Sequence, residues 1–167
     1  MSTAIQMRST AYHLRQSVAA DERFLFELYA QTRADELIRA GMDSLQREVF
    51  VQMQFKIRHA AYTATYPTAL SEMICADSGT SIGRVLTDRM ADEMCLIDIA
   101  LMSEHQNQGI GTQVIRKLQQ ECMAQAWKMK LQVLKGNAAE SLYRRLGFKV
   151  TGEDPLRRQM VWDGTKI

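Results

Sequence analysis

Apolar and polar residues alternate in short stretches of this chain and recur every three or four residues in longer ones. The first pattern is typical of strands, and the second is typical of helices with one apolar face. The alternation predicts seven strands, at Tyr12–Val18, Ala69–Ala76, Thr80–Thr87, Glu93–Met102, Met129–Val133, Phe148–Thr151 and Leu156–Trp162. The helical period predicts four helices, which begin after Asp21, at Asp43 or Ser44, at Gly109 and at Asn137.

Turn-forming residues indicate where these elements end. Gly41 and Gly147 are placed to end the first and last helices, and Asp77-Ser78-Gly79 indicates a hairpin. The second helix must stop before Pro67, because the residue that precedes proline avoids helical geometry. Its apolar residues recur at the spacing of an amphipathic helix, at Leu45, Val49, Met53 and Ile57.

The order of the elements, β-α-α-β-β-β-α-β-α-β-β, predicts an α/β fold with a mixed sheet and helices on both faces. Helix–strand alternation near the C-terminus implies parallel crossovers there. The stretch Cys95–Met102 is apolar except for Asp98, as in a central strand buried on both faces. Without linkers or repeats, residues 1–167 are expected to form one domain.

Composition narrows the class of protein. With 24% charged and 46% hydrophobic residues, the chain does not resemble disordered, collagen-like or coiled-coil sequences. It lacks a run of about 18 apolar residues for a membrane span, and residues 1–20 lack the apolar core of a secretion signal. Its 3 cysteines and 3 histidines favour neither disulfides nor a metal site, and we expect reduced, buried thiols in a cytoplasmic protein.

The two parts of the chain differ in charge. Residues 1–100 hold 10 Lys and Arg against 13 Asp and Glu, whereas residues 101–167 hold 11 against 6. The basic part is the better place for an anionic partner. The overall pI of about 8.5 is too low to indicate nucleic-acid binding, which we do not expect.

The segment Gln106-Asn107-Gln108-Gly109-Ile110-Gly111-Thr112 lies between the buried strand and an amphipathic helix. Free amides and the dipole at such a helix start attract anions such as phosphates. The alternative is a helix that simply starts after a tight turn. The residue at 114 is Val rather than the glycine of a dinucleotide fingerprint, and no P-loop Gly-Lys-Ser/Thr exists.

A second segment, Val133–Phe148, contains Asn137 and the sequence Leu142-Tyr143-Arg144-Arg145-Leu146-Gly147-Phe148. Together the two segments resemble the GNAT superfamily of acetyl-CoA-dependent N-acyltransferases, in particular a bacterial subgroup whose acceptor is unassigned. The resemblance covers nearly the whole chain and implies a mixed, mostly antiparallel sheet. Gln106-Asn107 departs from the commoner Arg-Gly, but Asn tolerates the left-handed backbone that the turn requires.

The resemblance implies that acetyl-CoA is the cofactor and CoA the product. It places the pantetheine arm along the backbone of Ile99, Ala100 and Leu101, and the pyrophosphate on the Gln106–Thr112 loop. Asn137, Tyr143 and Arg144 complete the implied cofactor site. For Arg144, as for Arg145 and Lys135, a solvated basic face is an equal alternative.

Acyl transfer needs an oxyanion donor, an acid and a base. The resemblance assigns the oxyanion to the Leu101 amide and the acid to Tyr143, whose alternative is a packed aromatic side chain at a helix edge. Asp98 is the only ionisable residue inside the buried strand, so it is the candidate base. A structural carboxylate bonded to backbone is the alternative, and Cys95 lacks a histidine nearby in sequence to act as a nucleophile.

The first two helices border the acceptor cleft in this fold, so the resemblance points there for acceptor residues. The candidates are Tyr29, Arg33, Glu36 and Gln54, together with Asp98. Interhelical hydrogen bonds are the alternative for most of them, and Arg33 and Glu36 lie at ion-pair spacing. The acidic first part of the chain suits a cationic amine.

The sequence therefore predicts an N-acetyltransferase that moves an acetyl group from acetyl-CoA to a primary amine by direct attack in a ternary complex. The alternative is a non-catalytic protein of the same fold that binds acyl-CoA or a protein partner. We expect no metal ion, nucleic-acid partner or membrane association. The choice between a monomer and a homodimer stays open.

Overall fold

The computed structural model describes residues 11–164 and contains seven strands and four helices in the predicted order. The strands are β1 (Tyr12–Gln16), β2 (Leu70–Ala76), β3 (Ser81–Arg89), β4 (Glu93–Leu101), β5 (Lys128–Leu134), β6 (Lys149–Glu153) and β7 (Arg157–Trp162). The helices are α1 (Glu22–Arg39), α2 (Ser44–Thr65), α3 (Ile110–Gln125) and α4 (Ala139–Arg145). The predicted elements are confirmed, and their ends differ by no more than two residues.

The strands form a single sheet in the order β1-β2-β3-β4-β5-β7-β6. Within the described range only β4 and β5 pair in parallel, so the predicted mixed, mostly antiparallel sheet is confirmed. The predicted parallel crossovers near the C-terminus are confirmed. The helix α3 joins the paired parallel strands β4 and β5, and α4 joins β5 to β6, which runs in the same direction with the antiparallel β7 between them.

Helix ends follow the predicted residues with one exception. Gly41, at φ 75°, ends α1 with the paired amide bonds of a Schellman motif, and Asp43 caps α2 by accepting from the Gln46 amide at 2.9 Å. Asp21 precedes α1, but its carboxylate does not cap that helix. It accepts instead from the Arg15 guanidinium at 2.7 and 2.8 Å and from the Val18 amide at 2.9 Å.

The core lies between the sheet and α3. The apolar spacing of α3 predicts a buried face at Ile110, Val114, Ile115, Leu118, Cys122 and Met123. The first five are buried, whereas Met123, in the last turn, is 52% exposed. The four-residue repeat on α2 behaves differently. Leu45, Val49, Met53 and Ile57 are all exposed, at 49–70% of their maximum area, while Val51 is buried. The pattern therefore predicts the helix but not the face that packs on the protein.

The expectation of no secretion signal concerns residues 1–20, of which 1–10 lie outside the described residues. Between residues 11 and 164, no helix is both long enough and apolar enough to cross a membrane. The same range holds no group of three or more His, Cys, Asp or Glu side chains arranged for a metal ion. Cys75, Cys95 and Cys122 are buried, and none of them forms a disulfide.

Candidate active site

The parallel strands β4 and β5 separate part-way along their length. They pair from Glu93 with Lys128 to Leu96 with Leu131, and the register stops there. On its other side β4 remains paired with β3 as far as Leu101. The last part of β4 therefore has one edge that β5 does not cover.

Ile99 and Leu101 turn their peptide groups toward this open edge. Hydrogen bonds to a neighbouring antiparallel strand alternate along the chain, and the Met102 amide donates to the Ile82 carbonyl at 2.9 Å on the β3 side. By that alternation, Ala100 faces β3 and its two neighbours face away from it. Ile99 and Leu101, which form this open edge, are among the residues that the family resemblance assigns to the pantetheine arm.

The loop after β4 has the backbone expected of an anion cradle. Asn107, at φ 58°, and Gly109, at φ 82°, take the left-handed conformation, as we expect of an Asn in this turn. Gln113 is the first residue of α3 to close a helical bond, to the Gly109 carbonyl at 3.0 Å. The amides of residues 110–112 therefore precede the helical ladder and carry the positive end of its dipole.

Two glutamines fix this loop. Gln106 donates its side-chain amide to the Leu101 carbonyl at 2.9 Å, and Gln108 donates to the Glu104 carbonyl at 2.7 Å. Gln106 thus joins the cradle to the open edge of β4. This contact gives a structural role to the residue that stands where arginine is commoner.

Asn137 and Tyr143 lie at the two ends of α4. Asn137 caps its start by accepting from the Ala139 amide at 2.9 Å, and it lines the central cavity described below. Tyr143 is 8% exposed and packs in the core with its ring 5.8 Å from that of Phe148. The charge of Asp98, which precedes Ile99 on β4, acts on the Tyr143 phenol, so the tyrosine lies within electrostatic range of this strand.

Burial, with a smaller contribution from the negative charge of Asp98, raises the pKa of Tyr143 to about 12. The phenol therefore keeps its proton at neutral pH, as a general acid requires. Burial likewise raises the pKa of the Cys95 thiol. A thiol with a raised pKa is a poor nucleophile at neutral pH, which agrees with the low priority that the sequence gives to Cys95.

A central cavity of about 280 Å³ lies between the open edge of β4 and the α1–α2 pair. It brings together residues assigned to the cofactor and residues assigned to the acceptor, among them Tyr29, Arg33, Asp98, Ile99, Ala100 and Asn137. A larger cavity of about 560 Å³ continues beside it under α2. The two share five lining residues, namely Leu25, Phe55, His59, Tyr62 and Arg84.

Asp98 lies in the wall of the central cavity between two arginines that the sequence analysis did not select. Arg58 of α2 donates to Oδ1 at 3.0 Å, and Arg84 of β3 donates to Oδ2. Its partners are therefore guanidinium groups and not the backbone, and its charge is already compensated. Both oxygens of this carboxylate already accept from guanidinium groups, which favours a positioning role over that of general base.

The other acceptor candidates divide into two groups. Tyr29 and Arg33 line the central cavity. Glu36 does not, and it pairs with Arg33 at 2.9 Å, which is the helical ion pair that its spacing allows. Gln54 is half-buried on α2 and lines neither cavity.

Arg144 is occupied by another contact. Its guanidinium donates to Glu140 at 2.7 and 3.0 Å, and Arg158 of β7 donates to the same carboxylate. This pairing matches the alternative of a basic surface, on which Arg144, Arg158 and Lys135 share the two carboxylates of Glu140 and Glu153. Lys135 pairs with Glu153 at 3.4 Å.

Residues 70–150 match a family model described as an acetyltransferase (GNAT) domain. The match covers 81 of the 167 residues and shows that this part of the chain is similar to a GNAT acetyltransferase domain. The matched range includes β4, the loop at 106–112 and α4, whereas α1 and α2 lie before it. No curated protein matches the chain.

Solved GNAT structures are similar to nearly the whole chain. PaiA N-acetyltransferase from Thermoplasma acidophilum, in complex with coenzyme A, is 19% identical with a TM-score of 0.67, over 92% of this chain and 99% of that one. FdhC, a nucleotide-linked sugar GNAT, is 15% identical with a TM-score of 0.67, over 92% and 87%. An acetyltransferase from Thermus thermophilus is 15% identical with a TM-score of 0.66, over 91% and 96%. Similarity at these identities establishes the shared GNAT fold.

Proposed function

We propose that this chain transfers an acetyl group from acetyl-CoA to a primary amine by direct attack within a ternary complex. The observation that carries the proposal is the open edge of β4 at Ile99 and Leu101, beside the start of α3 and within electrostatic range of Tyr143. A similar protein, PaiA N-acetyltransferase, was solved in complex with coenzyme A, which supports a CoA thioester as the donor.

The described residues suit each part of that donor. The peptide groups of Ile99 and Leu101 offer the pantetheine amides the hydrogen bonds of an added strand. The amides at 110–112 and the left-handed turn at Gly109 offer the pyrophosphate a backbone cradle. Asn137 lies in the same cavity wall as Ile99 and is placed to bind the pantetheine chain.

Acetyl-CoA supplies the thioester carbonyl. In the transfer the amine nitrogen bonds to the acetyl carbon, the carbon–sulfur bond breaks, and the amine loses one proton while the thiolate gains one. Leu101 donates its amide to the carbonyl oxygen as negative charge develops there. Tyr143 donates its proton to the leaving sulfur.

The proton donation by Tyr143 is unfavourable by itself. Its pKa of about 12 exceeds the ~8.5 of a cysteine-like thiol, a difference of about 5 kcal/mol. The difference is offset if the phenol regains a proton as it gives one up. The proton that leaves the amine provides this exchange when water takes it up and passes it to the phenol.

We assign removal of the amine proton to water and not to Asp98. Both carboxylate oxygens of Asp98 accept from guanidinium groups, so protonation of this side chain would break two ion pairs. The carboxylate instead positions Arg58 and Arg84 in the cavity wall.

Calorimetric titration with acetyl-CoA and CoA, followed by a thiol-release assay on a panel of amines, tests the proposed function. We expect micromolar binding of the donor and amine-dependent release of free thiol. Binding without release for every amine would favour the non-catalytic alternative. No binding of either CoA species would overturn the proposal.

A further inference from the structure

The central cavity holds more positive than negative charge. Three guanidinium groups line it, those of Arg33, Arg58 and Arg84, and Asp98 is its one carboxylate among the described residues. Glu36, the partner of Arg33, is not part of the lining, and its side chain is 57% exposed. The cavity therefore attracts anions, although the first part of the chain is acidic overall.

Arg58 is held in a fixed position with hydrogen-bond donors to spare. Its guanidinium carbon lies 5.5 Å from the ring centre of Tyr29 and 5.1 Å from that of Tyr62, and one terminal nitrogen donates to Asp98. A guanidinium carries five N–H donors in a planar fork. The aromatic contacts thus orient the guanidinium group, and its remaining N–H groups are left for a ligand.

Arg33 presents a buried donor without an acceptor. Its Nε atom is inaccessible to solvent and makes no hydrogen bond within residues 11–164, whereas Nη1 bonds to Glu36 at 2.9 Å. Buried N–H groups without partners are rare, because they lose a hydrogen bond to water and gain none in the protein. Because Nε is closed to solvent, it is closed to a ligand in the cavity as well, and Arg33 can offer such a ligand only its terminal nitrogens.

These contacts discriminate between classes of amine. A di- or polyamine brings a second positive charge toward three guanidinium groups and offers them no acceptor oxygen. A carboxylate or phosphate offers two or more oxygens to the planar forks, in the geometry that arginine binds best. The central cavity by itself, about 280 Å³, suits an acceptor of roughly the size of an amino acid.

We propose that the acceptor is a small amine that carries an anionic group, a carboxylate or a phosphate, bound by Arg33 and Arg58. The inference rests on the proposed function, because it names the class of substrate for that site. It replaces the cationic amine that the acidic N-terminal part of the sequence suggests.

Matched amines in the thiol-release assay test the inference. The pairs are L-tyrosine with tyramine, L-alanine with ethylamine, and phosphoethanolamine with ethanolamine, with spermidine added as a cationic acceptor. In at least one pair, kcat/KM for the amine with the anionic group should exceed kcat/KM for its partner without that group by about tenfold or more. The first two pairs report a carboxylate and the third reports a phosphate. Rates that are equal within each pair, or highest for spermidine, would overturn the inference.

Variants locate the recognition. R33Q and R58Q should raise KM for the preferred anionic amine by about tenfold, with little effect on the amine without the anion. R23Q is the matched control, because Arg23 lies on the same helix with its side chain 90% exposed and paired to Glu27. Circular dichroism confirms that each variant is folded. Unchanged KM in both R33Q and R58Q would count against the inference.

Equilibrium binding separates this inference from the proposed function. Calorimetry with CoA present measures the proteinogenic amino acids and phosphoethanolamine without any need for turnover. Anion-dependent binding that R33Q abolishes, without thiol release, would support the anionic ligand and contradict the transferase. Thiol release from cationic amines alone would support the transferase and contradict the anionic ligand. If none of these anionic amines binds or reacts, the inference is wrong.

Discussion

Asp98 of β4 and Arg84 of β3 form a diagonal ion pair across neighbouring strands, because the residue directly opposite Asp98 is Leu86. Arg58 reaches the same carboxylate from α2. The carboxylate thus joins the helical layer to the sheet in the wall of the central cavity. A change of its charge is expected to affect the site and the stability of the fold together.

Asp98→Asn tests whether this side chain is a base or a positioning residue. We expect a loss of roughly 1–3 kcal/mol in the free energy of unfolding, since two arginines lose a shared counter-ion. We also expect tighter binding of anionic amines, with kcat within about threefold of wild type. Asp92→Asn, an exposed charge before the same strand, is the control. A fall of 10²-fold or more in kcat, with loss of the acidic limb of the pH profile, would identify Asp98 as the base.

Tyr143→Phe should slow the transfer without loosening the donor. Removal of the acid is expected to lower kcat by about 10²–10⁴-fold, while the Kd of CoA changes by less than about threefold. Because the pKa of Tyr143 is about 12, the wild-type rate should show no loss from tyrosine ionisation up to pH ~10. Tyr12→Phe on β1 removes the same atom outside the site and serves as the control. Equal effects of the two substitutions would contradict the role of acid.

Gly83→Ala is expected to disturb the open edge of β4 through packing. A Cβ atom at this position would overlap the Ala100 carbonyl oxygen and lie 2.7 Å from the Leu101 side chain. Backbone cannot yield as a flexible side chain does, so we expect a cost of about 1–3 kcal/mol and weaker CoA binding. Urea unfolding and calorimetry measure the two effects. Gly152→Ala is the control, because its Cβ would meet only the Gln159 side chain; similar losses in both variants would be evidence against this explanation.

Asp21→Asn should change how stability depends on pH. The hydrogen bond from Arg15 lowers the pKa of Asp21 to about 2, below the ~3.9 of an unfolded chain. Its contribution is therefore complete above pH ~4 and declines as the pH falls toward about 2. In urea titrations, the difference between wild type and variant should narrow over that interval, whereas Asp35→Asn on the exposed side of α1 should show no such trend. A difference that is constant with pH would rule out the linkage.

Local patterns were sufficient to predict the elements and the backbone of the loop at 106–112. Each depends on residues adjacent in sequence, such as Gly109 and Asn107, whose left-handed backbone is a property of a few residues. The family resemblance also predicted that the backbone of Ile99–Leu101 is open to an added strand.

The acceptor side could not be predicted in the same way. Arg58 and Arg84 lie 40 and 14 residues from Asp98, and no local spacing relates them. Asp21 has the sequence context of a helix cap, yet a strand residue, Arg15, competes for its carboxylate. For α2, an apolar repeat indicated a helix face that the fold leaves exposed. Each of these outcomes depends on tertiary contacts.

The short register between β4 and β5 also divides the sheet mechanically. Strands β1–β4 and β5–β7 are joined through the sheet by four residue pairs, from Glu93–Lys128 to Leu96–Leu131. Amides beyond that junction have no strand partner on one side, so they should exchange with deuterium sooner than those within it. A molecule that hydrogen-bonds along Ile99–Leu101 and also contacts β5 would extend this junction. Separation of β1–β4 from β5–β7 would then require the loss of its contacts as well.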